Sequence, residues 1–423
     1  MYHIDRLNNG LRVVTCEMPG KDSIAVGIWV KVGGRYENST YAGISHFVEH
    51  MLFKGTKNRN TREIKEDIEG VGGMLNAFTA EELTCYFVKM LKNHFHLAMD
   101  VLSDMIKNPL FLPAEVEKER TVILEEIKMY LDLPSHYVHD LIGTLLWPKQ
   151  PLGQLLAGDE KSVARIKRSN LLDFVKRYYH PRNILISVCG DIPHEEVLRQ
   201  VEKSFPMTDN GSESEFKQAV VKQTKPNLKL VDKKTEQTHF VIGLHGFSRV
   251  YSGRYRASLL NIIMGANMSS RLFEEVREKR GLAYEISSRN SFLQDTGSFT
   301  VSAGVETKKA PLTIRVILNE LEKIKKKPVS QGELRRAKDY FLGQFCMGLE
   351  DTLDHMSWIG ERALYMGDVP SRYEIEKEIE SITAEDITEV AKEIFKNNHL
   401  NLALIGSLEE KAKSKIQKEF TLN

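Results

Sequence analysis

Apolar and polar residues alternate with two different periods along this chain, and the two periods predict both helices and strands. Residues 166–192 (IKRSNLLDFVKRYYHPRNILISVCGDI) have the pattern of an amphipathic helix, a short polar break and an apolar strand ending at Gly190. Residues 1–18 (MYHIDRLNNGLRVVTCEM) show strand-like alternation. Residues 113–132 (PAEVEKERTVILEEIKMYLD) are rich in helix formers and begin with proline, which is favoured at the first helical position.

The pattern of residues 166–192 occurs a second time. Residues 382–408 (ITAEDITEVAKEIFKNNHLNLALIGSL) align with it without a gap, so the two copies are offset by about half of the chain. Between the two copies lies PMTDNGSESEFKQ (206–218), which is polar and rich in turn-forming residues. The sequence therefore predicts two homologous domains.

We expect an α+β fold in which each domain is a mostly antiparallel sheet with helices packed on one side. The predicted boundaries are 1–205 for the N-terminal domain, 206–226 for a linker and 227–423 for the C-terminal domain. Two domains also suit a chain that is too long for a single ordinary hydrophobic core.

The pentad His-Phe-Val-Glu-His at 46–50, within GISHFVEHMLFKGT, carries the strongest chemical signal. On a helix His46 and His50 are four positions apart, so both imidazoles leave the same face one turn apart. Glu49 lies at the edge of that face, where it can reach a water on a metal but is poorly placed as a ligand. Two imidazoles and one carboxylate suit zinc, and H-x-x-E-H is the inverzincin motif.

In the alternative interpretation, the pentad consists of ordinary surface or core residues without a chemical role. Its apolar neighbours favour a buried helix: Ile44, Phe47, Val48, Met51 and Leu52. Polar groups on a buried helix need partners, and a metal ion would supply them together. The alignment of the two copies places Ile262, Gly265 and Ala266 opposite the three polar residues, so the second copy lacks the metal chemistry.

A zinc site of this kind needs a third protein ligand, and the helix at 113–132 offers candidates. Glu119 and Glu126 are seven positions apart, or two helical turns, and so share a face. The apolar neighbours of Glu126 indicate that part of this face points inward. On pattern alone, a solvated helix with both glutamates outside explains the segment equally well.

The chain resembles the pitrilysin family of metallopeptidases, on the branch of the mitochondrial processing peptidase and its bacterial relatives. In that family a glutamate at a characteristic distance after the pentad completes the zinc site, and this position is Glu126. GGMLNAFTAEELTCYF (72–87) resembles the family's active-site edge strand. SSRLFEEVREKRGLAYEISS (269–288) is similar to the signature of its second half. The resemblance extends from about residue 5 to about residue 408.

The resemblance implies one Zn²⁺ per chain, held by His46, His50 and Glu126. Glu119, one heptad before the third ligand, would support the site from outside. The ion would lower the pKa of its water, and Glu49 would act as general base and later protonate the leaving amine.

Two further residues match the family's substrate-binding pair. Arg277 and Tyr284 would donate hydrogen bonds to the peptide backbone and to the developing oxyanion. Without the resemblance, the segment around Arg277 has the pattern of a solvated helix end.

Peptide substrates are expected to add a strand to an exposed sheet edge, where main-chain hydrogen bonds recognise extended peptides of any sequence. The residues expected at this edge are Asn76, Ala77, Phe78 and Thr79. An ordinary strand beside a turn is the alternative. Asp140 falls about where the processing peptidases hold a basic substrate side chain, although a solvated helix residue also explains it. The companion position is His136, so a strict preference for arginine is not expected.

The predicted function is that of a zinc-dependent endopeptidase acting in an enclosed chamber. The family builds its chamber from four such domains and this chain supplies two, so the resemblance implies a homodimer. Arg277 and Tyr284 of one chain would then reach the zinc of the other. A non-catalytic family subunit that holds peptides as a scaffold is the alternative, and the intact pentad argues against it. A metal-dependent hydrolase of non-peptide substrates is also left open.

Composition limits the classes of binding partner and the cellular locations that we expect for this protein. Lys plus Arg (59) and Asp plus Glu (58) nearly cancel, so no nucleic-acid-binding surface is indicated. The four cysteines lack a C-x-x-C pair, as expected of reduced thiols. With no apolar run of about 18 residues and no basic-then-apolar leader, we expect no membrane contact and a cytoplasmic protein.

Overall fold

The computed structural model describes residues 2–206, 211 and 214–422. The strands are β1 (Tyr2–Arg6), β2 (Arg12–Glu17), β3 (Ser23–Val30), β4 (Met74–Thr79), β5 (Thr84–Leu91), β6 (Ile184–Gly190), β7 (Asn227–Val231), β8 (Thr238–Gly246), β9 (Ala283–Phe292), β10 (Gly297–Val305) and β11 (Asn401–Ile405).

The α-helices are α1 (Ile44–Leu52), α2 (Thr61–Glu69), α3 (Phe95–Lys107), α4 (Pro113–Asp132), α5 (Pro134–Leu146), α6 (Glu160–Arg165), α7 (Arg168–Tyr178), α8 (His194–Ser204), α9 (Arg254–Met264), α10 (Ala310–Lys326), α11 (Gln331–Gly348), α12 (Thr352–Met366), α13 (Arg372–Ser381), α14 (Ala384–Ile394) and α15 (Glu410–Glu419). The helix α4 coincides with the segment 113–132 in which the sequence predicts a helix.

The strands form two mostly antiparallel sheets. The first has the order β1-β2-β6-β3-β5-β4, and the second has the order β7-β11-β8-β10-β9. Neighbouring strands are antiparallel except for β2 with β6 and β7 with β11, which are parallel. The strand β4, where the sequence predicts an edge, lies at one edge of the first sheet and pairs with β5.

The two sheets repeat one topology, which is the structural form of the internal duplication. With β1 left out, the first sheet has the order β2-β6-β3-β5-β4, and these strands correspond one by one to β7-β11-β8-β10-β9 of the second sheet. The single parallel pair stands at the same place in both sheets. The alignment that places residue 166 opposite residue 382 also places β3 opposite 239–246, and β8 spans Thr238–Gly246. The predicted α+β fold of two homologous domains is confirmed.

The chain divides into two compact units, and neither unit is one continuous segment. The first comprises Met1–Lys128, Gln154–Lys217 and Cys346–Ser371. The second comprises Met129–Gly153, Gln218–Phe345 and Arg372–Asn423. This division differs from the continuous boundaries expected from the sequence. The difference lies in two segments, one of which contains α5 and the other α12. Of the expected linker at 206–226, residues 207–210 and 212–213 lie outside the described residues.

Each of these two helices packs on the sheet formed by the other half of the sequence. The helix α12 contacts β3 and β6, whereas α5 contacts β8 and β11. The same alignment of the two copies places α5 opposite 350–362, which overlaps α12. The two helices are therefore equivalent elements of the duplication.

Helices cover both faces of each sheet. The sequence analysis expected helices on one side only, so it accounts for one of the two covered faces. In the first unit Cys16 packs in a cluster with α12, while the adjacent Thr15 hydrogen-bonds His194 of α8 over 2.8 Å between Oγ1 and Nδ1. Since neighbouring residues of a strand point to opposite faces, α12 and α8 lie on opposite sides. In the second unit Val241 packs against α5 on one face of the sheet. On the other face Phe299 packs against Phe395, the residue that follows α14.

Close packing of α12 on the first sheet depends on two glycines and one indole. Trp29 is buried between them and donates from Nε1 to Ser187 Oγ over 2.7 Å. A Cβ at Gly27 of β3 would collide with the Met356 sulfur, and a Cβ at Gly360 of α12 would collide with the Trp29 ring. The helix therefore approaches the sheet more closely than any larger residue permits.

No described helix combines the length and the apolar character that crossing a bilayer demands.

Replacing Gly360 tests this packing. Alanine normally favours a helix, but here its methyl group overlaps the Trp29 indole, and Gly360→Ala should lower the free energy of unfolding by about 1–3 kcal/mol. Gly343→Ala in α11 is the control, because its methyl group meets no atom within 4 Å and should raise stability by up to about 1 kcal/mol. Urea unfolding followed by circular dichroism measures both, and equal behaviour of the two variants would contradict the packing.

Candidate metal centre

The helix α1 presents the pentad, and a buried carboxylate holds the start of this helix. Gly43 precedes it with φ of 91°, in the left-handed region that favours glycine. The Glu37 carboxylate accepts hydrogen bonds from the backbone N–H groups of Gly43 (2.6 Å) and Ser45 (2.7 Å). An anion suits the positive end of a helix, although burial raises the pKa of Glu37 to about 7. The sequence analysis did not identify Glu37, because no short-range pattern links it to α1.

The structure brings His46, His50 and Glu126 together in the first unit. Glu126 Oε2 lies 3.6 Å from His50 Nε2 and 3.9 Å from His46 Nε2. One donor atom from each residue lies within 4.8 Å of the others. These separations are too long for hydrogen bonds. They are near the roughly 3.3 Å expected between two nitrogen or oxygen ligands of one tetrahedral zinc ion.

Glu119 orients one of the imidazoles, as a supporting residue would. Its Oε2 lies 3.1 Å from His50 Nδ1, and its Oε1 lies 2.6 Å from Lys54 Nζ. Burial raises the pKa of Glu119, but hydrogen bonds from Lys54 and His50 outweigh burial and hold the pKa below its usual range. The ionised carboxylate accepts from Nδ1–H of His50, which leaves Nε2 free to coordinate.

His46 also has the character of a ligand rather than of a charged surface residue. Burial and the neighbouring His50 lower the pKa of His46 to about 4, so its imidazole is neutral near pH 7. Its Nδ1 is buried and has no hydrogen-bond partner among the described residues. A neutral imidazole is the form that binds a divalent cation, and Nε2 is the His46 nitrogen that lies near Glu126. The residues present therefore fit such an ion.

Glu49 lies beside this triad and is held by the edge strand. Thr79 Oγ1 donates to Glu49 Oε2 over 2.5 Å. Burial raises the pKa of Glu49, and the hydrogen bond from Thr79 opposes that rise. Thr79, expected from the sequence to contact substrate, thus has a contact with the candidate general base that sequence reasoning missed.

The rest of the edge strand β4 alternates between exposed and half-buried residues. Asn76 Oδ1 accepts from the backbone N–H of Ala77 over 2.8 Å. Phe78 is 41% exposed and packs edge-on against Trp29, with 6.0 Å between ring centroids. The opposite main-chain edge of β4 has no neighbouring strand among the described residues. An extended peptide could therefore pair with it.

Arg277 and Tyr284 meet in the second unit. The Arg277 guanidinium lies 4.9 Å from the ring centroid of Tyr284 and 4.7 Å from that of Phe273. Tyr284 is 78% exposed, so its hydroxyl is accessible. The segment Phe273–Glu278 is a π-helix, a form that is frequent at functional sites and that the sequence analysis did not identify.

Asp140 also belongs to the second unit, on α5. It is half-buried, and burial raises its pKa to about 6, against the opposing effect of His136. The alternative interpretation of Asp140 as a solvated helix residue does not agree with this raised pKa.

Family models match both halves of the chain. The model "Insulinase (Peptidase family M16)" matches residues 12–160, and "Peptidase M16 inactive domain" matches residues 165–341. The chain belongs to the peptidase M16 family. The second description agrees with Ile262, Gly265 and Ala266 standing where the first copy has its pentad.

Relatives of similar length support this membership. A Bacillus subtilis protein named uncharacterized zinc protease YmxG is 36% identical over 94% of this chain and 96% of its own length. Uncharacterized zinc proteases of Streptomyces coelicolor and Rickettsia felis are 35% and 36% identical, over 97% and 96% of this chain and 90% and 97% of their own lengths. The predicted resemblance to this metallopeptidase family is confirmed.

Solved structures show the same fold. A protease from Helicobacter pylori matches with a TM-score of 0.91 and 24% identity, over 96% of this chain and 99% of its own. A peptidase M16 inactive domain from Pseudomonas fluorescens matches with a TM-score of 0.89 and 17% identity, over 97% and 98%. At these identities the likeness concerns the fold.

Changing Glu119 tests its support of the centre. Glu119→Gln removes the charge that orients His50 and pairs with Lys54, so affinity for a divalent cation should fall about 10–100-fold. Glu125→Gln on the same helix is the matched control, because Glu125 is exposed and pairs with Lys128. Competition with a chromophoric chelator measures both affinities. Unchanged affinity in Glu119→Gln would show that Glu119 has no such role.

Proposed function

We propose that this chain is a zinc-dependent endopeptidase of the processing-peptidase type that hydrolyses extended peptides. The observation that carries the proposal is the convergence of His46, His50 and Glu126, with Glu49 beside them. Relatives named zinc proteases support zinc as the ion, and we propose one catalytic ion per chain at this centre. When bound, the ion supplies Lewis-acid polarisation and lowers the pKa of a coordinated water.

The protein's own residues account for the proton transfers. Glu49 removes a proton from the attacking water and passes it to the leaving amine. Burial raises the pKa of Glu49, which suits a group that must both accept and release a proton near neutral pH. The hydrogen bond from Thr79 fixes the Glu49 carboxylate without adding charge.

We further propose that substrate binds as an additional strand on β4. Its free main-chain edge would pair with the peptide at Asn76 and Ala77, while the exposed ring of Phe78 would contact a substrate side chain. This mode recognises an extended backbone more than a particular sequence. Asp140 stays a proposed contact for basic substrate side chains.

We also propose that two chains form a homodimer that encloses the peptide. Arg277 and Tyr284 of one chain would then complete the centre of the other, with hydrogen bonds to the peptide carbonyl. The exposed Tyr284 hydroxyl and its contact with Arg277 support a preformed pair of donors. The cytoplasmic location stays a prediction of the sequence.

Replacing Glu49 tests the proposed base. In Glu49→Gln the amide retains the shape but cannot accept the proton, so peptide cleavage should fall roughly 10²–10⁴-fold. Zinc content should stay near that of the wild type, because Glu49 is outside the ligand set. A quenched fluorescent peptide and elemental analysis provide the two measurements. Full cleavage by the variant would exclude this base, and peptide binding without cleavage in the wild type would favour a scaffold.

Mixing two inactive variants tests the shared site. Glu49→Gln and Arg277→Ala homodimers should each be nearly inactive, because each lacks one component of both sites. After subunit exchange, half of the dimers are mixed and contain one intact site, so about one quarter of wild-type activity should return. If every site were completed within one chain, no activity would return on mixing.

A further inference from the structure

A second group of potential metal ligands lies in the first unit, in a region separate from α1 and α4. Cys16 of β2 and Cys189 of β6 are directly opposite each other in the parallel strand pair, so both thiols point to the same face. His355, in the first turn of α12, lies over them. One donor atom from each of the three residues lies within 4.8 Å of the others. All three residues are buried, with exposures of 5%, 0% and 7%.

Hydrogen bonds orient the His355 ring toward a ligand role. Its Nδ1 lies 3.0 Å from the backbone carbonyl oxygen of Leu349, to which only an Nδ1–H can donate. Nε2 is then the unprotonated nitrogen, and it lies 3.1 Å from the Tyr2 hydroxyl. A backbone carbonyl that fixes the tautomer through the other ring nitrogen is a common arrangement around metal-bound histidines.

The surroundings of this group are apolar, which makes the cluster of polar atoms unusual. Val14, Ala25, Met356 and Ile359 pack around the two thiols in one buried core. Structural cysteines in an apolar core are ordinarily neutral and need no histidine beside them.

We propose that Cys16, Cys189 and His355 form a second, structural zinc site. Two thiolates and one imidazole are a common ligand set for Zn²⁺, and the Tyr2 hydroxyl oxygen, 3.1 Å from His355 Nε2, is a candidate for the fourth position. Two sulfur ligands of one tetrahedral zinc stand about 3.7 Å apart, so only a small closure of the present cluster is needed. The ion would tie β2 and β6 to α12, a helix from the other half of the sequence.

Cobalt spectroscopy separates this site from the proposed catalytic one. The variant His46→Ala/His50→Ala removes the ligands of the first centre and leaves the thiol cluster intact. Reconstituted with Co²⁺ under reducing conditions, it should bind about one equivalent per chain and show a thiolate-to-cobalt charge-transfer band. The first centre has no sulfur ligand and cannot give this band, whether or not the chain is a peptidase. Zn²⁺ should displace the cobalt and raise the thermal midpoint of the same variant.

Two substitutions in that background complete the test. Adding Cys16→Ser should abolish the band and the zinc-dependent rise in thermal midpoint. Adding Cys85→Ser should preserve both, because Cys85 is buried in the same core but does not belong to the cluster. Circular dichroism checks that both variants are folded.

Two outcomes in His46→Ala/His50→Ala alone would overturn the proposal, and neither depends on the folding of a core variant. One is the absence of a charge-transfer band although all thiols are reduced. The other is a Cys16–Cys189 disulfide in place of a metal site, seen as an intact mass lower by two hydrogens that reduction restores and located by peptide mapping.

Discussion

The candidate centre depends on one constraint, which is that three half-buried donor groups cannot satisfy one another. His46, His50 and Glu126 are close enough to share a cation and too far apart for hydrogen bonds. Partial burial makes such an arrangement unfavourable unless a positive charge occupies the space between the groups. The surrounding contacts maintain it: Glu37 holds the start of α1, Glu119 fixes the tautomer of His50, and Thr79 holds Glu49.

The parts of this structure that the sequence predicts are those that depend on short-range patterns. Four-residue spacing on a helix sets the face shared by His46 and His50, and helix-forming composition sets the bounds of α4. The duplication was visible because a whole helix–strand unit repeats at a constant shift. Assignment of Glu126 needed the family resemblance, since the pattern of α4 allowed a solvated helix equally well.

Several features that the sequence analysis missed join residues far apart in the chain. Nothing in the local pattern links Cys16 to Cys189, because strand order alone decides which strands become neighbours. The contact of Thr79 with Glu49 also joins distant residues. The Glu37 cap and the π-helix Phe273–Glu278 are local features, but no pattern used in the sequence analysis predicts them. Continuous domain boundaries were the natural expectation, since an amphipathic helix such as α12 shows that it must pack but not on which sheet.

The packing of α5 and α12 on the sheet of the opposite half of the sequence also affects how the chain folds during its synthesis. The first sheet is complete in strands once β6 has been made at Gly190, yet one apolar face stays uncovered until α12 follows from Thr352 onward. Long-range closure of this kind slows folding and leaves a nascent surface open to aggregation. Neither half of the coding sequence should therefore yield a stable fragment on its own, although only the first copy carries the H-x-x-E-H pentad.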